Sequence, residues 1–267
     1  MRIPFTKAHG ARNDFLLTWE HEFPSDRSIP DRAGFARAIC DRHAGVGADG
    51  WILVGPGDAE AAGSIQLYNS DGSVAEISGN GTRCAAAFLM DRAGASDSIR
   101  IRTGAGAKEL RLLNRTGLVF EFEMDMGRPE IVAERFSLVL STGPRDVTLL
   151  RIGNPQCAIP VADFDFDWRS MGAEIERHAQ FPERTNVSFV RALGDHAIEV
   201  RIWERGAGET MSSGTGSTGA AAMAVLRRMV QSPVTVVTPA GPLEVRLAES
   251  AYLKGPAELI ADGVYLR

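Results

Sequence analysis

Two stretches decide the reading of this chain: SGNGTRCAAAFLM, Ser78–Met90, and SGTGSTGAAAMAV, Ser213–Val225. Six of their thirteen positions are identical, namely the leading serine, two glycines and three consecutive alanines. The shift from Ser78 to Ser213 is 135 residues, about half of the 267-residue chain, so one architectural unit is expected twice. At the same shift Asn69 answers Glu204, each nine residues before its serine. In both copies Ser-Gly-x-Gly runs into small and apolar residues, the layout of a helix start. Such a start leaves backbone N–H groups unpaired and carries partial positive charge, and glycine lets a ligand approach that backbone. Taken singly, Ser78 or Ser213 is a helix cap. Taken together at matching places, the two turns are expected to cradle a carboxylate or phosphate at a small-molecule site shared by the duplicated halves.

Working outward, residues 2–19 read as two strands joined by a turn at His9–Asp14. Asp31–Asp41 has helical spacing (Phe35, Ile39) after the start signals Pro30 and Asp31. Trp51–Val54 is a short apolar run expected to be a buried strand, and Ile65–Tyr68 another. Helices are expected over Gly79–Arg92, within Trp168–His178, and from Gly214 to about Val230. Strands are expected at Ser98–Thr103, Glu109–Leu113, Leu118–Met124, Thr148–Ile152, Val187–Ala192, Ala197–Trp203, Val234–Thr238, Leu243–Leu247, Leu259–Ala261 and Val264–Leu266. The strands do not alternate regularly with helices, which argues against a Rossmann sheet.

The composition narrows the function classes. With 29 basic and 34 acidic residues the formal net charge is −5, and no basic run alternates with aromatics, so no nucleic-acid partner is expected. No segment has the ~18 consecutive apolar residues of a membrane span, and MRIPFTKAHGARNDFLL lacks the layout of a signal peptide. Cys40, Cys84 and Cys157 are odd in number and widely spaced. They support neither a disulfide framework nor a zinc site, and a reducing cytoplasm is expected.

Further motifs carry a resemblance: KAHGARNDF (Lys7–Phe15), DRHAGVGADG (Asp41–Gly50), YNSDGSVAEISGNGTRC (Tyr68–Cys84), GNPQC (Gly153–Cys157), TNVSFV (Thr185–Val190) and WERGAGETMSSGTGS (Trp203–Ser217). Six stretches in order and at compatible spacing are specific, and the chain resembles the diaminopimelate epimerase family over essentially its whole length. The resemblance implies an α+β fold of two pseudo-symmetric domains, each a mixed β-sheet wrapped around a central helix. We expect an N-terminal half over residues 1–115, with strand 259–267 returning to it, and a C-terminal half over residues 116–258. The implied activity is interconversion of LL- and meso-diaminopimelate by two-base proton transfer at Cα, without pyridoxal phosphate, metal or other cofactor, in the cleft between halves. By position, Ser78 and Ser213 stand at the catalytic places. Asn13, Asn69, Asn154, Asn186, Glu204 and Arg205 would hold the substrate's amino and carboxyl groups. Gly79, Asn80, Gly214 and Thr215 would supply donors to the reacting carboxylate, beside which negative charge develops. The oligomeric state is left open, a homodimer included.

The sequence departs from the family at the reacting groups. The family has cysteine before each Gly-x-Gly; here both are serine. A thiol ionises near ~8.5 and an alcohol nearer water's ~15.7, so a gap of at least roughly 5 units costs about 7 kcal/mol, on the order of 10⁵ in rate. Three readings of the serines stay open: an active variant in which helix ends activate them, cysteines replaced by design, or a chain that binds and no longer epimerises. A related racemase, a hydroxyproline-type dehydratase needing one base, and a non-catalytic amino-acid-binding homologue are the alternatives. Three more positions depart: Gln156 replaces the histidine of Asn-Pro-His, Arg12 stands where glycine is usual, and Gly50 where glutamine is common. Cys84 is expected to be a packed core residue. His9 and His43 are expected to make structural hydrogen bonds. Arg83 either supports the substrate loop or forms a surface ion pair. Glu209 meets the substrate amine or braces its loop.

Overall fold

The computed structural model describes residues 2–24 and 31–267; Pro30, read above as a helix-start signal, lies outside them. Contacts gather the chain into two units, Met1–Met124 with Gly255–Arg267, and Asp125–Lys254.

The first unit opens with β1 (Arg2–Gly10) and β2 (Asn13–Trp19), a 3-10 turn (Glu20–Glu22) and α1 (Arg32–Cys40). It continues through β3 (Gly50–Gly55), β4 (Gly63–Asn69), β5 (Val74–Ala75), α2 (Gly79–Ala93), β6 (Ser98–Thr103), β7 (Gly106–Thr116) and β8 (Val119–Gly127). β1 and β2 are antiparallel, β2 and β3 parallel, β3 and β4 antiparallel, β4 and β6 parallel, and β6, β7 and β8 successively antiparallel. The long last strand of the chain, β17 (Ala251–Leu266), pairs with both β8 and β1 and completes the ring. α2 packs against β1, β2, β3, β4 and β6, and every residue from Gly79 to Met90 is buried. A helix this thin, mostly Gly, Ala, Thr and Cys in its first turns, can be buried on all sides within a narrow ring of strands. α1 covers the other face of the sheet, where Phe23, Phe35, Trp51 and Tyr68 pack edge to face and stacked.

The turn between β1 and β2 explains one departure noted above. Ala11 and Arg12 have φ of +49° and +59°, the geometry of a two-residue turn with both residues left-handed. A side chain costs about 1 kcal/mol there, so glycine is the natural occupant and Arg12 carries strain.

The second unit repeats the construction. Its elements are β9 (Glu130–Leu140), β10 (Gly143–Arg151), β11 (Pro155–Pro160), α3 (Trp168–Glu176), β12 (Asn186–Gly194), β13 (Ala197–Glu204), β14 (Gly208–Thr210), α4 (Gly214–Leu226), β15 (Val234–Thr238) and β16 (Gly241–Leu247), with the start of β17. β10–β11 is antiparallel, β11–β12 parallel, β12–β13 antiparallel, β13–β15 parallel, and β15–β16–β17 antiparallel, in the order found for the first unit. The register repeats at the 135-residue shift. Gly63 opposite Ile101 becomes Ile198 opposite Val236, Leu67 opposite Ala75 becomes Ile202 opposite Thr210, and Ile99 opposite Leu110 becomes Val234 opposite Val245. α4 is buried from Gly214 to Ala224 and packs against β10, β11, β12, β13, β15 and β16. The fold class is therefore α+β, with a mixed sheet around one central helix in each unit.

Some element expectations need correction. α4 ends at Leu226, short of Val230, where Arg228 turns left-handed at φ +59°. The strands expected at Leu259–Ala261 and Val264–Leu266 are parts of one sixteen-residue strand, β17. β9 and β11 were not anticipated: β9 is largely exposed and shows no apolar alternation over most of its length, and β11 contains two prolines.

Candidate active site

Both serines cap their helices. Ser78 is extended (φ −133°, ψ 120°) and its hydroxyl oxygen accepts from the Gly81 N–H at 3.1 Å. Ser213 is extended (φ −138°, ψ 128°) and accepts from the Gly216 N–H at 3.2 Å. Each cap is worth ~1 kcal/mol and also fixes the hydroxyl at the helix mouth. The two then diverge. Ser213 Oγ donates to the Glu204 carboxylate at 2.9 Å, whereas Asn69, the positional counterpart of Glu204, donates from its amide to Ser73 Oγ at 2.9 Å. Ser213 is buried at 3% exposure, and Ser78 is half-buried.

In the first unit a chain of polar groups runs beneath the α2 start. Arg83, fully buried, donates through its guanidinium to Asn80 Oδ1 at 2.5 Å and to the Pro256 carbonyl at 3.1 Å. Asn80 Nδ2 donates to Asn13 Oδ1 at 3.2 Å, and Asn13 Nδ2 donates to Asp49 Oδ2 at 2.7 Å. Asp49 also accepts from Arg42 at 2.8 Å, and Arg42 reaches Asp14 at 2.7 Å, which pairs with Lys7 at 3.1 Å. Both ends of each amide in this relay are engaged by neighbours, so Asn13 and Asn80 are oriented before any ligand arrives. Burial raises the Asp14 carboxyl, but hydrogen bonds and charge from Arg42 and Lys7 outweigh it and hold the group below the usual carboxylate range. Asp49 is pushed up, first by burial, against the hydrogen bond from Asn13, with the Asp14 charge adding to the rise. Burial also lowers Arg83 to about 10. Arg83 is thus no surface ion pair; its contacts are those of a support beneath the Asn80 loop.

In the second unit Asn186 Oδ1 accepts from the Arg205 backbone N–H at 2.8 Å, and its Nδ2 donates to the Pro155 carbonyl at 3.3 Å. Asn154 Oδ1 accepts from Gln156 Nε2 at 2.6 Å, while Gln156 Oε1 is buried with no hydrogen-bond partner among the described residues. The Arg205 guanidinium donates to the Glu183 carbonyl at 3.0 Å. Gly214 and Thr215 are buried in the first turn of α4. Within each unit, then, the polar residues singled out from sequence gather around a helix start. Asn69 stands apart from the Asn13–Asn80 relay, and Asn154 bonds to Gln156.

Sequence reasoning missed Asp49, although it lies within the DRHAGVGADG stretch, and Glu176, which belongs to no quoted motif; both act through residues distant in the chain. Glu209 forms a two-pronged ion pair with Arg169, at 2.6 and 2.8 Å, and so braces its loop. His9 accepts from the Arg12 N–H at 3.4 Å and sits 3.3 Å from Glu258, a structural role. Cys84 is fully buried, and burial pushes its thiol up to about 12, so no thiolate base forms there near neutrality.

The family model described as diaminopimelate epimerase matches residues 5–132 and 148–260. The diaminopimelate epimerase of Pelotomaculum thermopropionicum is 40% identical over 98% of this chain and 98% of its own length. That of Microcystis aeruginosa is 35% identical over 99% of each. Among solved structures, a hydroxyproline epimerase from Agrobacterium vitis with bound trans-4-hydroxy-L-proline superposes with a TM-score of 0.76 at 14% identity, covering 98% of this chain and 92% of that one, a likeness of fold. From motifs, helix starts and relatives together, the chain belongs to the diaminopimelate epimerase family.

Proposed function

We propose that this protein is an amino-acid epimerase acting on diaminopimelate by two-base proton transfer at Cα, with Ser213 and Ser78 as the reacting groups. The observation that carries the reading is the Ser213 hydroxyl held between the Gly216 N–H and the Glu204 carboxylate. A lone alcohol is a poor base. An alcohol whose proton passes to a carboxylate as it removes the Cα hydrogen never has to exist as a free alkoxide. Glu204 takes the Ser213 proton as Ser213 takes the Cα proton, and the Ser78 hydroxyl gives its proton to the carbanion while taking one from solvent, so neither serine becomes a free alkoxide. Glu204 returns its proton to solvent. Backbone N–H groups at Gly79, Asn80, Gly214 and Thr215 stabilise the charge that builds beside the carboxylate. Asn13, Asn69, Asn154, Asn186, Glu204 and Arg205 orient the amino and carboxyl groups.

Incubating the protein with LL-diaminopimelate in D₂O tests this. Deuterium at Cα with appearance of the meso isomer is the expected result. Tight binding without exchange would overturn it. A second reading, a dehydratase on a related hydroxylated amino acid, is favoured by the asymmetry of the pair, since Glu204 serves Ser213 and an asparagine occupies the matching place for Ser78; release of water from such a substrate identifies it. Three buried, unpaired thiols suit a reducing cytoplasm. Among the described residues no helix is long and apolar enough to cross a membrane. Exposed Ile260, Val264 and Leu266 on β17 support a homodimer, which light scattering on wild type and Val264→Lys decides.

A further inference from the structure

Glu176 ends α3 and belongs to none of the motifs above, yet its carboxylate is only 2% exposed. Three donors converge on it. The Trp203 indole N–H donates to Oε2 at 3.0 Å, the Gly206 backbone N–H donates to Oε1 at 2.9 Å, and the Arg184 guanidinium pairs with Oε1. Trp203 and Gly206 bracket Glu204 and Arg205 on either side. Arg184 lies two residues before Asn186 and is held left-handed at φ +61°, while Asn186 accepts from the Arg205 N–H. One buried carboxylate thus ties together the two segments that carry Asn186, Glu204 and Arg205.

The approach of α3 is built for this contact. Gly172, one helical turn before Glu176, sits on the same face. A Cβ at Gly172 would stand 2.9 Å from Trp203 Cβ and 3.0 Å from its Cγ, so glycine lets the helix lie close enough to β13 for Glu176 to reach across. Packing alone would not need an acid here, since Trp168 and Ile175 already bury apolar surface on this side. A carboxylate buried among three donors fixes direction, which apolar contact does not.

We infer that Glu176 is a positioning residue for the amino-acid site, holding the Trp203–Gly206 turn and the Arg184–Asn186 segment in the geometry that presents Glu204, Arg205 and Asn186 to the substrate. The inference rests on the epimerase reading for its ligand. Glu176→Gln tests it, because the amide has a single acceptor oxygen and must turn its NH₂ against either the Trp203 indole N–H or the Gly206 and Arg184 donors. kcat/KM for diaminopimelate falls at least about tenfold, with the larger share in KM. In a Trp203→Phe background the NH₂ meets no donor on that side, and the same change costs less than about threefold. Gly206 amide exchange quickens and the Trp203 indole resonance shifts in Glu176→Gln.

A KM within twofold of wild type overturns the inference, as does an equal cost in both backgrounds. So does a loss confined to melting temperature and apparent kcat with KM unmoved, the pattern of a merely structural residue. If Glu176→Gln does not fold, Trp203→Phe alone, which strips one donor from Oε2, decides: a few-fold rise in KM supports the inference and none overturns it. Should wild type neither bind nor exchange diaminopimelate, the epimerase reading fails by itself. The Gly206 and Trp203 signals then decide the brace, an altered pair upholding it and an unaltered pair overturning it.

Discussion

Ser213 and Ser78 accept the same kind of cap bond and differ in where their protons can go. The alcohol pKa alone puts the serine pair ~7 kcal/mol behind a thiol pair. Glu204, at 2.9 Å from Ser213, supplies a proton acceptor that this comparison omits. Replacing Ser78 and Ser213 together by cysteine should raise epimerase turnover by orders of magnitude, up to about 10⁵ if Glu204 now contributes little, as read by circular dichroism of the substrate. A gain below about tenfold would mean that the Glu204 relay already recovers most of the deficit. The three native cysteines should be chemically quiet. Burial raises all three thiols, Cys40 and Cys84 to about 12, so an aromatic disulfide reagent should label none rapidly at pH 8, all three after denaturation, and leave activity intact.

Elements set the aim of these side chains. A Cβ at Gly216 would lie 3.1 Å from Ser213 Cβ and 3.2 Å from its hydroxyl, so the first turn of α4 is cut to fit the serine. Gly216→Ala should lower turnover at least about tenfold while the melting temperature holds or rises, because alanine favours the helix. Unchanged turnover would show that the serine hydroxyl is not held there for catalysis. The loop after α1 carries the other element-scale prediction, through Lys7, Asp14, Arg42 and Asp49. With Asp14 held below its unfolded value, its contribution to stability is present above the ordinary carboxylate range and lost as pH falls through the folded value. Asp49, raised by burial, runs oppositely: its contribution is full below the unfolded value and lost as pH rises through the folded one. Asp14→Asn should therefore be less stable than wild type at pH 7 and lose less stability on acidification, as read by urea unfolding between pH 7 and 3. Equal acid sensitivity would remove Asp14 from the account.

The whole molecule is two units with one shared strand. β17 supplies β16 with a partner at Glu244–Leu247 and then continues into the first unit, where it pairs with β1. It also carries Pro256, whose carbonyl holds Arg83, and Asp262, which accepts from Thr6 and Arg92. Residues 125–254 should fold alone with a cooperative urea transition, whereas residues 1–124 should not until residues 255–267 are supplied. A cooperative transition for residues 1–124 alone would show that the ring of strands closes without β17. The central helices were legible from Gly79 and Gly214 onward, because a helix of small residues buried on every side has no polar face to confuse its pattern. β17 was read as two short pieces because Asp262 and Gly263 interrupt its apolar pattern, although backbone pairing runs through them.

By itself the sequence determined the duplication, the two capped helix starts, the family and the identities of the residues gathered there, because these depend on local spacing and residue chemistry. Only the tertiary structure decided what each polar group faces. Among the described residues it gave Ser213 a carboxylate and Ser78 none, put a buried arginine under Asn80, and brought Glu176 to Trp203, Gly206 and Arg184. Those pairings join residues far apart in the chain, and their strength comes from burial, which no local pattern records. The serines that open both helices were plain from the first reading; that the Ser213 hydroxyl donates to a carboxylate came from the fold.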